Sequence, residues 1–593
     1  MLIWSDYLEK WFVRNKKIDY HKISRELGIS KIIAKILVNR EIYEKESINR
    51  FLVTDISKLY SPILMRDLDK GANLIKDKIN NKKKIRIVGD YDVDGVMSVY
   101  ILYTSLLRLG ALVDYVIPDR ISDGYGINPQ IVKDAKNQGI DTIITCDNGI
   151  AAIDAIALAK DLGLNIIVTD HHEPVFIEEN NIKKNLFPMA DAIINPKHPH
   201  CNYPFKGLCG AAVAYKLIEH LYTLFNIDKK EAYKLLEYVS IATICDVVDL
   251  IDENRIIVKY GLKLINSTEN IGLKALIKES GIKNEIGVYH IGFIIGPTIN
   301  ASGRLESAYH ALNLLLSQNE DETMNIAKEL RVLNEQRKAI TEEGVERVKN
   351  KIENSFIKND KVLLVYDPQT HESVAGIIAG RIKDIYNKPT IVLTRGQKGV
   401  KGSGRSIEEY NIFEELTKCK DILDKFGGHH MAAGLSLNED SIDTLRCCLN
   451  KNTSLTEEDI IPKIYIDMAL PIDYINYKLI EDLDELEPFG KGNTKPLFGD
   501  KGLTIKKAFK LGANKNVLKL ILESKEGTTL DAILFNDIDS FEENIVSKYG
   551  KEKLEKLYLD NNNNILLDII YYPSINEYMG RRTLQIIIQN YRV

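Results

Sequence analysis

Between residue 84 and about residue 205, short apolar runs alternate with longer stretches whose apolar positions return every three or four residues. IRIV (85–88), LVDYVIP (112–118), DTIITC (141–146), NIIVT (165–169) and ADAIINP (190–196) read as buried strands. VMSVYILYTSLLRLG (96–110), NPQIVKDAKNQG (128–139) and AAIDAIALAKDLG (151–163) carry the helical period between them. Repeated strand–helix units of this length predict a parallel, doubly wound sheet. Ahead of it, residues 1–60 read as short helices (ISRELGI, SKIIAKILVNR). Behind it come two helices, GAAVAYKLIEHLYTLF and EAYKLLEYVSIATICDVVDL. Residues 307–355 contain no Pro and one Gly, Gly344, and predict a long connecting helix or a pair. A second α/β segment opens at KVLLVYD (361–367) and runs to about residue 455. From about residue 461 the pattern becomes short strands with turns: IYIDMAL, LTIKKAFKLG, NVLKLILES, TTLDAILFN, ILLDIIYYP and RTLQIIIQN. That spacing predicts a small β-barrel, with the OB-fold as first candidate and Asn561–Asn564 as a loop tip.

A chain of 593 residues exceeds one core, and roughly three or four domains are expected. No apolar run is long enough for a membrane span, so no membrane partner is expected. MLIWSDYLEKWFVRNKK has acids inside its apolar part and does not read as a signal peptide. Seven scattered Cys argue for reduced thiols and a cytoplasmic protein, with the neighbours Cys447 and Cys448 unsuited to bond each other. The formal charge of −5 neither announces nor excludes a polyanion partner, because only the local arrangement of cations matters.

The predicted strands end in acids. IRIVGDYDVD delivers Asp90, Asp92 and Asp94; IITCDNG ends on Asp147; NIIVTDHHEP ends on Asp170, His171 and His172. The helix after residue 231 ends near Asp246 and Asp249. Like charges this close raise one another's pKa and repel, and a cation relieves them. In doubly wound sheets ligands bind beyond the carboxyl ends of the strands, where these clusters fall. Phosphodiester hydrolysis profits from two divalent ions about 4 Å apart, and oxygen ligands with one or two imidazoles suit Mn²⁺ or Mg²⁺. Asp90, Asp92, Asp94, Asp147, Asp170, His171, His172 and Asp246 form such a set. Duller readings exist for each: Asp147 and Asn148 as caps of the following helix, Asp170 as a turn residue, Asp249 as a solvated helix-end acid. Three clusters placed after three strands favour metal. His198, His200, Cys201 and Cys209 could be sketched as a zinc site, but the first three are packed too tightly and no CxxC exists, so a structural loop is expected.

GDYDVDG, TCDNG, VTDHHEP and ATICDVVDL resemble the four signature motifs of the DHH phosphoesterase superfamily. GPTINASGRLESA, HESVAGIIAGRI, KGSGRSI and FGGHHMAAGLS resemble its DHH-associated domain. With EPFGKGNTKPLF, LDAILFN and INEYMGRRTLQ, the order is that of the bacterial RecJ branch, from about residue 10 to the C-terminus. The fold class implied is α/β. A parallel-sheet DHH domain is joined by a long helical connector to a second α/β (DHH-associated) domain, with a C-terminal OB-fold-like β-barrel. The segments expected are an N-terminal helical 1–60, catalytic 61–270, connector 271–355, substrate-binding 356–458 and nucleic-acid-binding 459–593.

The resemblance implies a 5′→3′ exonuclease of single-stranded DNA in repair and recombination, releasing 5′-mononucleotides with two divalent ions, Mn²⁺ or Mg²⁺. It places Asp92, Asp94, Asp147, His171 and Asp246 at ligand positions. Asp90, Asp170 and His172 serve as ligands or hold the ligands and the attacking water. Val88 stands where small-substrate relatives have a His, which favours the exonuclease branch. Arg304, Ser403 and Arg405 match phosphate-contacting residues, with GSGRS read as a Gly-rich turn exposing N–H groups. Arg120 is as readily a surface residue, and His429 faces the nucleotide in this reading unless it or His430 is a core histidine. Tyr125, Tyr410 and Phe489 are candidates for base stacking, though with 29 tyrosines none stands out. The expected partners are single-stranded DNA and, as candidates, a single-strand-binding protein and a RecQ-type helicase, with the chain a monomer. The alternatives are a phosphodiesterase for oligoribonucleotides or cyclic dinucleotides, which has no evident use for the barrel, and a non-catalytic replication scaffold, which would have lost acids.

Overall fold

A computed structural model describes residues 9–179, 182–396, 399–512, 514–535, 537–559, 563–578 and 580–593. The first eight residues of the N-terminal run, and Asn561 and Asn562 of the expected loop tip, lie outside them. The chain divides into two compact units, one of Asp55–Ile461 with Gly490–Gly492, the other of the remaining residues. No helix of the described residues is long and apolar enough to cross a membrane.

The larger unit begins with five parallel strands: β1 (Lys84–Val88), β2 (Leu112–Val116), β3 (Thr142–Cys146), β4 (Asn165–Thr169) and β5 (Ala192–Ile194), in the order β2-β1-β3-β4-β5. The strands read as continuous apolar runs because both faces are covered. Ile85, Ile87, Ile144 and Ile167 pack against α1 (Val93–Arg108), α2 (Gly210–Leu224) and α3 (Leu236–Cys245). Their neighbours Val88, Ile143, Ile166 and Val168 pack on the other face with Val132 and Ile156.

The helical region after α3 includes α4 (Gly296–Leu305) and α5 (Glu320–Glu353). The stretch 307–355 is a pair of helices, Tyr309–Leu316 and then α5. α5 gives Ala327 and Leu330 to the first core and Val345, Val348 and Ile352 to a second. The second sheet contains β6 (Leu363–Tyr366), β7 (Thr390–Arg395), β8 (Val400–Arg405), β9 (Lys425–His429) and β10 (Ala432–Leu437), in the order β9-β10-β8-β7-β6. Helices α6 (Ala375–Tyr386) and α7 (Ile442–Asn452) belong to this second layer.

Cys419 and Cys448 are bonded, with Cα atoms 6.6 Å apart. This corrects the expectation of seven reduced thiols: Cys counts and spacings along the chain cannot show which thiols the fold brings together. Cys447 is free, as expected of a neighbour of Cys448.

In the smaller unit, β11 (Phe498–Leu511), β12 (Val517–Glu523), β13 (Thr529–Phe535), β14 (Leu566–Tyr578) and β15 (Arg581–Arg592) run β11-β12-β13-β15-β14, and β14 pairs back onto β11. The ring closes into a barrel and leaves its strands no long free edge. Ile33, Ile36 and Leu37 of the helix Lys31–Asn39 share its core, and strand Lys10–Val13 pairs with Lys463–Ile466.

Candidate active site

At the carboxyl edge of the first sheet each strand hands over to a different device. Asp92 caps α1, its Oδ1 accepting from Gly95 N at 3.1 Å. Asp94, in the first turn of that helix, is buried and accepts from Gly210 N at 2.6 Å and Ala211 N at 2.7 Å, the first turn of α2. A helix N-terminus is a natural seat for a carboxylate. Position 210 must be glycine, because a Cβ there would lie 2.6 Å from Asp147 Cβ. Asp147 leaves β3 in the left-handed region, φ 60°, which turns its carboxyl toward the same point. It does not cap the following helix, whose N-cap is Ala152 without a side-chain bond. Asn148 is the clamp for this turn, donating to Val88 O and Cys146 O and accepting from Ile127 N. Tyr125 contributes by donating to Asp147 O at 2.7 Å. Asp246 closes the set from the C-terminal end of α3.

His171 sits among these acids. Its Nε2 lies 3.0 Å from Asp147 Oδ1 and 3.6 Å from Asp94 Oδ2, and its Nδ1 lies 3.8 Å from Asp246 Oδ2. Among the described residues, three trios have atoms within 4.8 Å of one another: Asp90, Asp92 and Asp147; Asp94, His171 and Asp246; Asp147, His171 and His172. Asp147 and His171 are each shared by two of them. Asp90 Oδ1, Asp147 Oδ1 and both ring nitrogens of His171 are buried without an aligned hydrogen-bond partner among the described residues. Orphaned buried acceptors facing one another carry a large desolvation cost that a cation removes. Burial raises the pKa of Asp90, Asp94, Asp147 and Asp246, and like charges add to it: Asp92 against Asp90, Asp92 against Asp94 (to about 6), and Asp94 against both Asp147 and Asp246. Burial and the neighbouring His172 hold His171 down to about 3, which keeps it in the neutral form a metal requires. The donor set fits divalent cations that prefer oxygen with some imidazole.

Asp170 differs from its neighbours. Its Oδ2 accepts from Ile150 N at 2.8 Å; its Oδ1 accepts from His171 N at 2.7 Å and faces His172 Nδ1 at 2.8 Å. Burial would raise its pKa, but the His172 hydrogen bond prevails and brings it to about 2. Both oxygens are occupied, and Asp170 joins none of the trios. Asp249 also stands outside them, 3.8 Å from Lys491.

A set of cations faces this edge. Arg304, at the end of α4, donates to Ser373 O at 2.8 Å; burial and the nearby Arg120, Arg337 and Arg405 lower its pKa to about 10. Mutually repelling guanidinium groups held together call for an anion. Arg120 lies 4.0 Å over the Tyr91 ring, and its Nε has no partner among the described residues. His429 ends β9, its basicity lowered by partial burial and then by Arg405. The Gly-rich turn expected at GSGRS is a strand. β8 is paired along its length with β7 and β10, so its N–H groups serve the ladders. Gly402 and Gly404 face the core, where a Cβ would come within 2.4 Å of Leu393 and of Ile412. Ser403 and Arg405 alternate onto the other face.

Other candidates fall outside the site. His198 stacks on Phe187 at 4.3 Å and faces Arg66 Nη1 at 2.9 Å; Cys209 lies 3.5 Å from Thr243 Oγ1, and no cluster able to hold metal among the described residues contains them. Tyr410 is in a core, and Phe489 packs against that of the barrel unit. Asn148, Gly210 and Tyr125's hold on Asp147 were not visible as site features. The sequence suggests Asn148 as a helix cap and Tyr125 as a stacking candidate, and the one trace of Gly210 is the run of small residues after Cys209, which suits a tight helix start.

An acid-lined carboxyl edge on a parallel sheet, with guanidinium groups gathered beside it from α4, from the segment after β2 and from β8, defines a phosphoesterase of the DHH class. Residues 84–243 match the family model of the DHH family N-terminal domain, 359–452 the DHHA1 domain and 466–590 the RecJ OB domain. The single-stranded-DNA-specific exonuclease RecJ of Bacillus subtilis is 36% identical over 98% of this chain and 70% of its own. That of Haemophilus influenzae is 31% identical over 95% and 97%. The crystal structure of RecJ in complex with Mn²⁺ from Thermus thermophilus superposes with a TM-score of 0.79 at 25% identity, covering 98% of this chain and 79% of that one. The chain belongs to the RecJ family.

Proposed function

We propose that this chain is a metal-dependent exonuclease that degrades single-stranded DNA from the 5′ end and releases 5′-mononucleotides. The observation that carries the reading is the pair of shared residues, Asp147 and His171, which ties three cation-competent trios among the described residues into one centre, with Arg304 and the arginines around it near Asp92. Asp90, Asp92 and Asp147 would hold one divalent ion, and Asp94, His171 and Asp246, with Asp147, a second. Bound Mn²⁺ or Mg²⁺ supplies positive charge to the phosphoryl oxygens and makes water a better nucleophile at neutral pH. Arg304, Arg405 and Ser403, with Arg120 and His429 beside them, bind and orient the 5′-terminal phosphate, guanidinium forks gripping it with parallel hydrogen bonds. Asp170 holds His172 and the backbone of His171, so it acts through the ligand it orients. His172 stands on the open side, where a proton can pass to or from the leaving oxygen.

The reading makes the protein cytoplasmic and monomeric, with 1–60, 61–270, 271–355, 356–458 and 459–593 as its working segments. A single-strand-binding protein and a RecQ-type helicase are the partners that would present such a strand. End-labelled single- and double-stranded DNA incubated with Mn²⁺, Mg²⁺ or chelator tests it. Mononucleotides should appear from the 5′ end of single strands only, and only with metal. Hydrolysis of dinucleotides with long single strands left intact would overturn it.

A further inference from the structure

The helical stretch from Val288 to Leu305 ends in Asn300 and Arg304; at its start His290 Nδ1 accepts from Gly287 N, and its ring meets that of Tyr289 edge-on with centroids 5.9 Å apart. Asn300 Oδ1 accepts from Val93 N at the start of α1, and Arg304 belongs to the arginine set. A surface stripe runs back from there along the same face: Tyr289, Phe293, Pro297, Asn300 and Arg304 are all at least partly exposed, while Ile291, Ile295, Gly296, Thr298, Ile299 and Ala301 are buried. Across the π-helical turn Ile291–Ile295 and the α-helix that follows, these positions lie on the side that the buried residues leave open. At its far end Tyr289 and Phe293 are 64% and 68% exposed, their rings stacked with centroids 5.1 Å apart at 28°. Their helix is seated on the segment leading to Asp246, since a Cβ on Gly296 would strike Cys245 Sγ. So large an uncovered aromatic surface is a cost that folding alone does not explain.

We infer that Tyr289 and Phe293 form a stacking platform for bases of the DNA strand whose 5′ phosphate the arginines hold. The inference rests on the single-strand reading above and adds the residues that grip the strand behind the cleavage site. Three features select nucleobases as occupant. The rings offer flat faces, as bases do. From Tyr289 to Asn300 the stripe carries no charged side chain to mark a charged peptide. The stripe is also continuous with the phosphate-binding end, the eleven residue steps from Phe293 to Arg304 spanning on the order of 16 Å, a distance that several unstacked nucleotides bridge. Stacking on aromatic rings is indifferent to sequence, as an exonuclease requires.

The test uses the full chain and fluorescent oligothymidylate of about 12 nucleotides, with binding followed by anisotropy without divalent ion. The Tyr289→Ala/Phe293→Ala variant should bind roughly 5- to 100-fold more weakly, the range for loss of one stacked base. Its KM for long single strands should rise while kcat holds. An oligonucleotide made abasic over its interior should bind wild type and variant equally. Phe293→Trp with Tyr289→Phe should restore tight binding, which separates stacking from misfolding. Unchanged affinity in the alanine variant, or an equal loss on the abasic strand, overturns the platform while the exonuclease reading stands. Wild type that neither binds nor degrades single strands overturns both.

Discussion

The two sheets of residues 55–461 present their chemistry in opposite ways. In the first, the functional groups lie beyond the strand ends, where the backbone has left its ladder and can turn freely. Left-handed Asp147, the cap at Asp92 and the helix start at Gly210, which holds Asp94, aim three carboxyls inward. In the second, Ser403 and Arg405 stand on a fully paired strand, and the backbone contributes nothing to the site. Loops after strands can converge until like charges crowd, which creates the demand for a cation. A strand face cannot converge; it spaces its groups about 7 Å apart, two residues at a time. One sheet edge builds an electrostatic sink, and the other sheet offers a ruled surface.

This contrast can be broken most sharply at Asp147. Asp147→Asn should lower cleavage of end-labelled single strands on the order of a thousand-fold or more, the scale of losing a group that stabilises transition-state charge. The metal-free melting temperature should hold or rise, because a buried, repelled carboxylate has been removed. A large loss of stability would show that the acid serves the fold.

On the ruled surface, Arg405→Ala should weaken single-strand affinity about 10- to 100-fold, matching about 1.5–3 kcal/mol for charged hydrogen bonds. Lysine should restore only part of it, since an ammonium lacks the fork. Ion affinity, followed by calorimetry with Mn²⁺, should not change. Gly402→Ala sharpens the point in the other direction. Its new methyl meets Leu393, so stability should fall by about 1–3 kcal/mol with the affinity of the folded protein kept. Affinity lost without destabilisation would restore the phosphate-cradling turn.

The smallest effect concerns a buried acid remote from the edge. Burial pushes Glu237, in the first turn of α3, up to about 7. Between its ordinary pKa near 4.5 and about 7, the folded protein keeps a proton that the unfolded chain has released. Stability should therefore be greatest below this window and decline as pH rises through it. Glu237→Gln should flatten that decline and raise the melting temperature at pH 8 by about 2 °C, with nuclease activity unaltered.

Much of this was legible in the sequence, because an acid directly after a β-branched run is a pattern in one dimension. Asp90, Asp92, Asp94, Asp147 and His171 could be picked out that way, Asp246 only as a helix-end acid in a motif resembling the family's, and the structure gathers them. Asp170 shares the pattern yet spends both oxygens on neighbouring N–H groups, a difference only three-dimensional hydrogen bonding reveals. GSGRS misled because glycines suggest a turn. Here they are the small side of an alternating strand, and the clue was the alternation itself. The pairing of Cys419 with Cys448 and the sharing of the barrel's core by residues 33–37 join positions far apart in sequence, beyond the reach of any local pattern.

The 34-residue helix Glu320–Glu353 has a consequence for how this unit comes apart. Its early turns are built into the core beneath the acidic edge and its late turns into the core beneath the arginine-bearing sheet. Melting either core strips partners from a helix the other still needs, and the cost of ending that helix midway falls on both. Residues 55–461 should thus unfold in one cooperative transition. A mutation weakening the arginine sheet would then surface as lost metal-dependent activity in cells, with every metal ligand intact.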